Sequence, residues 1–530
     1  MKTLRSIIYL ALLVLWAPAC TQFLDIPKED TLNPDDDPFS DPTYIDAFVG
    51  GVYADAAGAF TNWGMYGVLN MRGDDYLKGG RDGDQPDLEL IDEFDYSTLS
   101  SSWISSQGWD AMNNFIRKSN DNLKGISDLL SLHSDDEDAI AKAKLGRAEI
   151  RVLRAYAYFL LVNLYDGVPL ITDKTDITVW YPRTKPEGIL QFIIDEMDDV
   201  ADDLPNVRPN ERSDRYGAVT RATALAVKAK AALYLKDYAT VLAATEPIIN
   251  SGRFNLYPQF YDMFKIKAKV SDESILEMQF TDFGQGSGDI VKPGNWFDFQ
   301  GPNNKDLKYD TDGKVIMTTD TIDGVIVSRP DLDGQGNKLG LNGWAFMSQE
   351  PSFITFMKER GETDRLEGTV LGQGATRDGD TIASLPSGYP QTYNYKAYTP
   401  TNEVTDGRTG YGDGNNVRML RYADVLLMQA EAKIMLGQSG DDEINEVRSR
   451  SNMTSISGAT IDDLLDERLA EFAGEWGFRF WDLVRNDKAV EKLGGKGYKK
   501  GEHEYLPIPQ TQIDLNPLLI QEPIDYIPED

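Results

Sequence analysis

The chain has 530 residues, 41% of them hydrophobic, which is ample apolar material for a large core. Its 86 acidic side chains against 53 basic ones leave a formal net charge of −33, which excludes nucleic-acid binding, since that needs clustered Lys and Arg to displace counterions. One cysteine rules out an internal disulfide, and two histidines without companions at metal-ligand spacing rule out a zinc site built from His and Cys.

The N-terminus reads as an export signal. Lys2 and Arg5 form a basic start, Ile7 to Trp16 an apolar run too short to span a bilayer, and Ala17-Pro18-Ala19 places small residues before Cys20. This is the layout of a lipoprotein signal over 1–19, cut before Cys20, whose thiol would take the lipid. An ordinary secretory signal leaving a free thiol is the alternative. No later segment holds a long uncharged apolar run, so any tie to a membrane would be the lipid anchor alone.

An extended acidic leader, Thr21 to Asp41, precedes a helix predicted over 44–59. Two longer helices are predicted at Trp109–Leu132 and Asp138–Tyr165. In the second, Leu145, Ala148, Val152, Ala155, Phe159 and Val162 share one face, Arg147, Arg151 and Arg154 fall outside it, and Asp166-Gly167-Val168-Pro169 stops it. Further helices are expected at 186–203, 219–235 and 238–250. Ala222, Ala226, Ala229 and Ala232 permit close approach, and the tight turn at Lys236-Asp237 gives a pair of the tetratricopeptide kind; an ordinary helical hairpin fits this segment equally well. From 266 to 417 Gly, Asn, Asp, Thr and Pro predict loops with a few strands and small helices. Helical texture returns at 418–436, 441–450, 460–476 and 478–486. The expected organisation is therefore a helical region over 20–265, a loop-rich cap over 266–417, and a helical region over 418–530 completing the same domain.

His133 and His503 both read as surface residues, and no nucleophile-elbow pattern is present. Asp331 to Asn337 alternates oxygen-bearing side chains around glycines as calcium loops do, but lacks the closing bidentate Glu, so solvated turns are the preferred reading and no metal or other cofactor is expected.

Several blocks resemble one family. Glu149 to Phe159, continued by Leu164-Tyr165-Asp166-Gly167-Val168-Pro169-Leu170, is similar to a signature stretch of SusD/RagB-like outer-membrane lipoproteins. Arg421-Tyr422-Ala423-Asp424-Val425-Leu426-Leu427 with Gln429-Ala430-Glu431-Ala432 resembles the family's next helix, and Ile444 to Arg450 the segment after it. Glu467-Arg468, Glu471-Phe472 and Gly477 to Arg485 follow in the family's order, closed by Leu506-Pro507-Ile508-Pro509 and Asn516-Pro517-Leu518. On the residues alone, Leu464, Leu465, Leu469, Phe472 and Trp476 form a buried stripe, and Glu467, Arg468, Glu471 and Arg479 read as an ion-paired packing motif in preference to a catalytic cluster.

The resemblance implies a mainly α fold: a tetratricopeptide-like helical-pair scaffold with an irregular loop-rich capping region. It also implies a surface carbohydrate-binding lipoprotein, not an enzyme, anchored in the outer membrane and partnered with a SusC-type TonB-dependent transporter that receives its oligosaccharide or polysaccharide. Capture of peptides or other nutrients on the same scaffold is the alternative, and a secreted glycosidase the remoter one.

Sugar rings present flat C–H faces that stack on aromatic rings, and their hydroxyls take Asp, Asn and Arg partners. Trp16 leaves with the signal. Trp109, Trp476 and Trp481 sit in helical patterns and are assigned to the core, while Trp180, before a Pro-Arg turn, fits either class. Trp63, Trp103, Trp296 and Trp344 stand in polar, Gly- or Ser-rich surroundings. With Asn62, Arg72, Asp74, Asp75, Tyr395 and Arg408 they are the candidate ligand-binding set.

Overall fold

Local signals start and stop the helices of the first half. In this computed structural model, which describes residues 41–81, 83–281, 295–302, 317–322, 325–330, 343–382, 390–403 and 414–526, they run α1 (Tyr44–Phe60), α2 (Trp63–Asn70), α3 (Pro86–Asp92), α4 (Trp103–Leu132), α5 (Glu137–Tyr165), α6 (Pro186–Val200), α7 (Arg221–Tyr234) and α8 (Tyr238–Asn250). Cys20, Arg408 and the Asp331 to Asn337 stretch lie outside the described residues. Asp136 caps α5 by accepting from the amides of Asp138 and Ala139, both at 3.0 Å, and Asp166, at φ 66°, ends it. Asp237 caps α8 through the Thr240 amide, just after Lys236 turns the chain at φ 59°.

Each helix from α4 to α8 packs on the next, and α1 lies across α4 and α5. Buried Ala226, Ala229 and Ala232 bring α7 close to its neighbours. The expected single apolar stripe of α5 is too narrow a description. From Ala148 to Tyr165 the helix is buried on nearly every side, because α1, α4, α6 and α7 surround it. Arg154 is buried with it, donating to Asn120 Oδ1 at 2.7 Å and to Asp173 and Glu196, each at 2.8 Å.

The irregular region leaves and rejoins this scaffold at one place. Strand β1 (Tyr76–Lys78) lies far upstream, but β2 (Ser274–Met278) and β10 (Val417–Arg421) pair antiparallel, with Val417 opposite Met278 and Arg421 opposite Ser274. Between them stand α9 (Trp296–Gln300), the hairpin β3 (Met317–Ile322) and β4 (Val325–Pro330), β5 (Met347–Gln349), α10 (Pro351–Glu359), α11 (Asp364–Thr369), β6 (Val370–Gly372), β7 (Thr376–Arg377), β8 (Asp380–Thr381) and β9 (Thr392–Asn394). The described residues of the region are therefore a mixture of loops, short strands and small helices. Its β5 returns to pair with β1.

After β10 come α12 (Tyr422–Met435), α13 (Asp441–Arg450), α14 (Ile461–Phe472), α15 (Phe478–Arg485), α16 (Ala489–Leu493) and α17 (Gln510–Leu515). Residues 418–421, expected as the start of a helix, are strand because β2 supplies a ladder that no local pattern reveals. Helix α14 stops at Phe472, short of the expected 476. Gly474 turns the backbone at φ 73°, where a Cβ would fall 2.3 Å from the Tyr76 hydroxyl. α12 packs on α8 and then on α13 and α14, so the stack of helices continues across the excursion.

A buried ion network joins the two parts. Glu471 on α14 meets Arg421 at 3.0 Å, Arg450 at 2.5 Å and Arg365 at 3.5 Å; Arg421 reaches on to Glu273 and Glu475, and Arg365 to Glu362 and Glu467. Arg468 bridges Asp424 and Asp482 nearby. Burial works to raise the Glu471 carboxyl, but Arg450, Arg421 and Arg365 outweigh it and hold the group well below the usual range. The charged family-like motif is thus an ion-paired packing motif. His503, expected at the surface, is buried against Phe94 and Tyr96, and its Nδ1 accepts from the Lys499 amide at 3.0 Å.

Candidate functional site

Three of the four tryptophans singled out in the sequence converge. Trp63 is the first residue of α2 and Trp103 the first of α4, while Trp344 comes from the irregular region just before β5. The Trp63 and Trp103 rings lie 4.7 Å apart at 41°, and Trp344 meets Trp63 edge-on at 5.8 Å. All three are half-buried. Phe299 at 6.3 Å from Trp63 and Phe346 at 5.8 Å from Trp344 extend the cluster below.

Each ring is held by its own backbone. Ser102 caps α4 through the Ile104 amide at 3.2 Å, which fixes Trp103 in the first turn. The helix therefore begins six residues before the predicted Trp109. Asn62 caps α2 by accepting from Met65 N at 3.2 Å and donates to Ala59 O at 3.0 Å. Gly64 lets α2 sit against α4: a Cβ there would come within 2.9 Å of the Gln107 side chain. Trp344 is pinned by its amide to Asp298 O at 2.5 Å, and Phe346 by its amide to Phe299 O at 3.0 Å. The platform thus joins two rigid helix starts to one strand-flanking loop.

The other predicted site residues lie elsewhere. Trp296 is core, 4% exposed, beside Phe264, and its Nε1 finds no hydrogen-bond partner among the described residues. Tyr395 is buried, stacked on Tyr261 at 4.0 Å and donating to Asp378 at 2.7 Å. Arg72 is buried, flat on Phe480 at 3.8 Å, and donates to the carbonyls of His503 and Glu504 at 2.9 and 2.6 Å. Asp74 takes Arg479 bidentately at 2.6 and 2.9 Å. Burial tends to raise its carboxyl, and the guanidinium more than offsets that. Asp75 is buried; burial first, and the Asp74 charge second, push its carboxyl up to about 6. Arg72, Asp74 and Asp75 therefore tie the α2–β1 connection to the C-terminal region, because their partners stand some four hundred residues away in sequence. Trp109, Trp476 and Trp481 are core as expected, and Trp180 is 63% exposed.

Sequence reasoning missed what adjoins the platform. An open cleft of about 1130 Å³ runs from Asn62 and Trp63 between α1 and α4, with Gln107 and Asn114 on one wall and Arg215 and Gln279 on another. Exposed Gly50, Ala54 and Gly58, which recur at helical spacing in α1, are the signal that could have found it. No group of three or more His, Cys, Asp or Glu among the described residues is placed to hold a metal ion.

Residues 272–524 match the SusD family model. "SusD-like protein P38" of Formosa agariphila is 26% identical over 369 residues, covering 65% of this chain and 67% of that protein. Among solved structures, a "Laminarin binding SusD-like protein" superposes with a TM-score of 0.72 at 23% identity, covering 91% of this chain and 99% of that one. "Surface glycan-binding protein A from Bacteroides thetaiotaomicron in complex with laminarihexaose" gives 0.69 at 22% identity, covering 89% and 97%. At such identities the structural likeness is one of fold, and it agrees with the matched segment: residues 272–524 are SusD-like in sequence, and the chain is similar to SusD-like proteins in fold.

Proposed function

We propose that this protein captures glycan at the Trp63–Trp103–Trp344 platform and hands it to a TonB-dependent outer-membrane transporter, acting by binding without turnover. The observation that carries the reading is the convergence of three half-buried indoles, two held at capped helix starts and one pinned in a loop, where a sugar ring can stack. The laminarin and laminarihexaose named for two proteins of the same fold support a glycan as ligand. Calorimetry against a panel of plant, fungal and host glycans, then peptides, tests it. Alanine at Trp63, Trp103 or Trp344 is expected to weaken glycan affinity several-fold to about thirtyfold, equivalent to about 1–2 kcal/mol per ring, with little change in melting temperature. If all three variants bind as wild type does, the platform is not the site; if only peptides bind, the ligand class is wrong.

Lipidation at Cys20 and surface exposure belong to the same reading. Among the described residues no helix is long and apolar enough to cross a membrane. A docking surface for the transporter is offered by exposed Ile177 and Trp180 beside exposed Leu515 and Ile520. Their two segments are joined by Asn516 Nδ2 donating to Tyr181 O at 3.0 Å and by the Ile524 amide donating to Arg183 O at 2.8 Å. One experiment in the native cell covers both points. Mild detergent should recover wild type from membranes with a large β-barrel protein, Cys20→Ala should leave the membrane fraction without loss of fold, and Trp180→Asp with Ile520→Asp should stay anchored but lose the barrel. Full membrane retention of Cys20→Ala, or unchanged barrel recovery with the double variant, would refute the respective assignment.

A further inference from the structure

The cleft beside the platform carries information about the shape and charge of the ligand. It shares Asn62 and Trp63 with the tryptophan cluster and follows α1 back to Gly50, a run of roughly 20 Å at the helical rise. Its floor is the face of α1 bearing Gly50, Ala54 and Gly58, and its wall is the face of α4 bearing Gln107, Ala111, Asn114 and Lys118.

The glycines in the floor are not there for packing. A Cβ added at Gly50 or Gly58 would meet nothing within 4 Å, and neither has a positive φ. In a helix interior each costs roughly 1 kcal/mol relative to alanine. The return on that cost is open space: a longer side chain at these positions would project into the cleft.

The charges around the cleft are already spent. Lys118 is bound to Asp55 at 2.5 Å, Arg215 to Glu149 at 2.8 Å and to Asp46 at 3.1 Å, and Glu277 to Arg418 at 3.7 Å and to the Asn416 amide at 2.8 Å. Among the described residues, every charged side chain that lines the cleft thus has a counterpart on the protein, on a chain of net charge −33. Among the described residues, a uronate or sulfate ester would have to compete with Asp55 for Lys118 and with Asp46 and Glu149 for Arg215. Amide groups such as Gln107 and Asn114 suit hydroxyls instead.

We infer that the cleft continues the tryptophan platform and that its ligand is a long, uncharged glycan, with one end stacked at Trp63 and several further units lying along the Gly50–Gly58 face of α1. This rests on the glycan reading above and adds length and neutrality to it.

The test fills the cleft without touching the platform. Ala54→Leu with Gly58→Leu occupies the floor; Ala47→Leu, on the same helix but outside the cleft, is the control. Linear neutral glucans, xylans and mannans are titrated as short oligomers and as polymers, beside alginate and a sulfated galactan. Wild type should bind the best neutral chain with affinity that rises with length. The filled variant should lose about tenfold or more for the polymer, keep its affinity for the shortest oligomer, and melt no lower than wild type, while the control binds as wild type does. Equal affinity of wild type and filled variant for the polymer overturns the inference, as does tighter binding of alginate or the sulfated galactan than of any neutral chain. If wild type binds no glycan at all, the glycan reading falls first and this inference with it.

Discussion

Replacing Glu471 by glutamine should be among the most damaging single changes in this protein, costing about 3–5 kcal/mol in urea unfolding. The carboxylate is fully buried and faces Arg365, Arg421 and Arg450, with its two oxygens shared among them. Removing its charge leaves three guanidiniums close together in a site that water does not reach. Glu273, Glu467 and Glu475 compensate part of this, which sets the effect at the upper end of single substitutions but below complete unfolding. The irregular region should also become more sensitive to protease, since Arg365 belongs to α11 and Glu273 stands beside β2. A variant within about 1 kcal/mol of wild type would mean that the network does not hold the two parts together.

Asp75→Asn should act in the opposite direction and reveal itself through pH. The buried carboxyl titrates near 6 in the fold and at 3.8 when free. The folded state therefore holds the proton more tightly than the unfolded one, so stability from this group is intact below about pH 4 and falls as pH rises towards 6. The shift corresponds to roughly 3 kcal/mol at neutral pH. Asparagine keeps an acceptor for the Gly474 amide, at 3.3 Å in the native protein, and carries no charge to bury. Wild type and variant should differ little at pH 4, and the variant should be more stable by about 1–3 kcal/mol at pH 7. Parallel pH profiles would show that Arg479 neutralises Asp75 as fully as it does Asp74.

Why some parts of this molecule could be read from its residues and others could not is a matter of where the partner lies. The helices at 137–165 and 238–250 announce themselves through local signals, because Asp136, Asp166 and Asp237 act within a few residues of themselves. The start of α4 was hidden because Ser102 caps from within a run of serines that looks like loop. Strand β10 was hidden because its ladder is supplied from 274–278. The candidate site divides in the same way. Trp63, Trp103 and Trp344 stood out as large rings without a local core to fill, and they do meet. Trp296 stood out for the same reason, yet α9 delivers it to the core near Phe264. Arg72, Asp74 and Asp75 look like ligands for a sugar in one dimension. Their commitment to His503, Glu504, Gly474 and Arg479 becomes visible only once the chain has folded back.

The pairing of β2 with β10 has an evolutionary reading. Because the excursion departs at Met278 and returns at Val417 directly opposite, its two roots are one point as far as the helix stack is concerned. Loops between them can be lengthened, shortened or exchanged while the helices on either side keep their register, provided that β5 still pairs with β1 and that Arg365 and Lys396 still reach Glu467, Glu471 and Glu475. One indole of the platform, Trp344, rides on that exchangeable part, whereas Trp63 and Trp103 stay with the permanent one. A change confined to that contiguous stretch of gene would therefore alter one ring of the cluster and leave the other two in place.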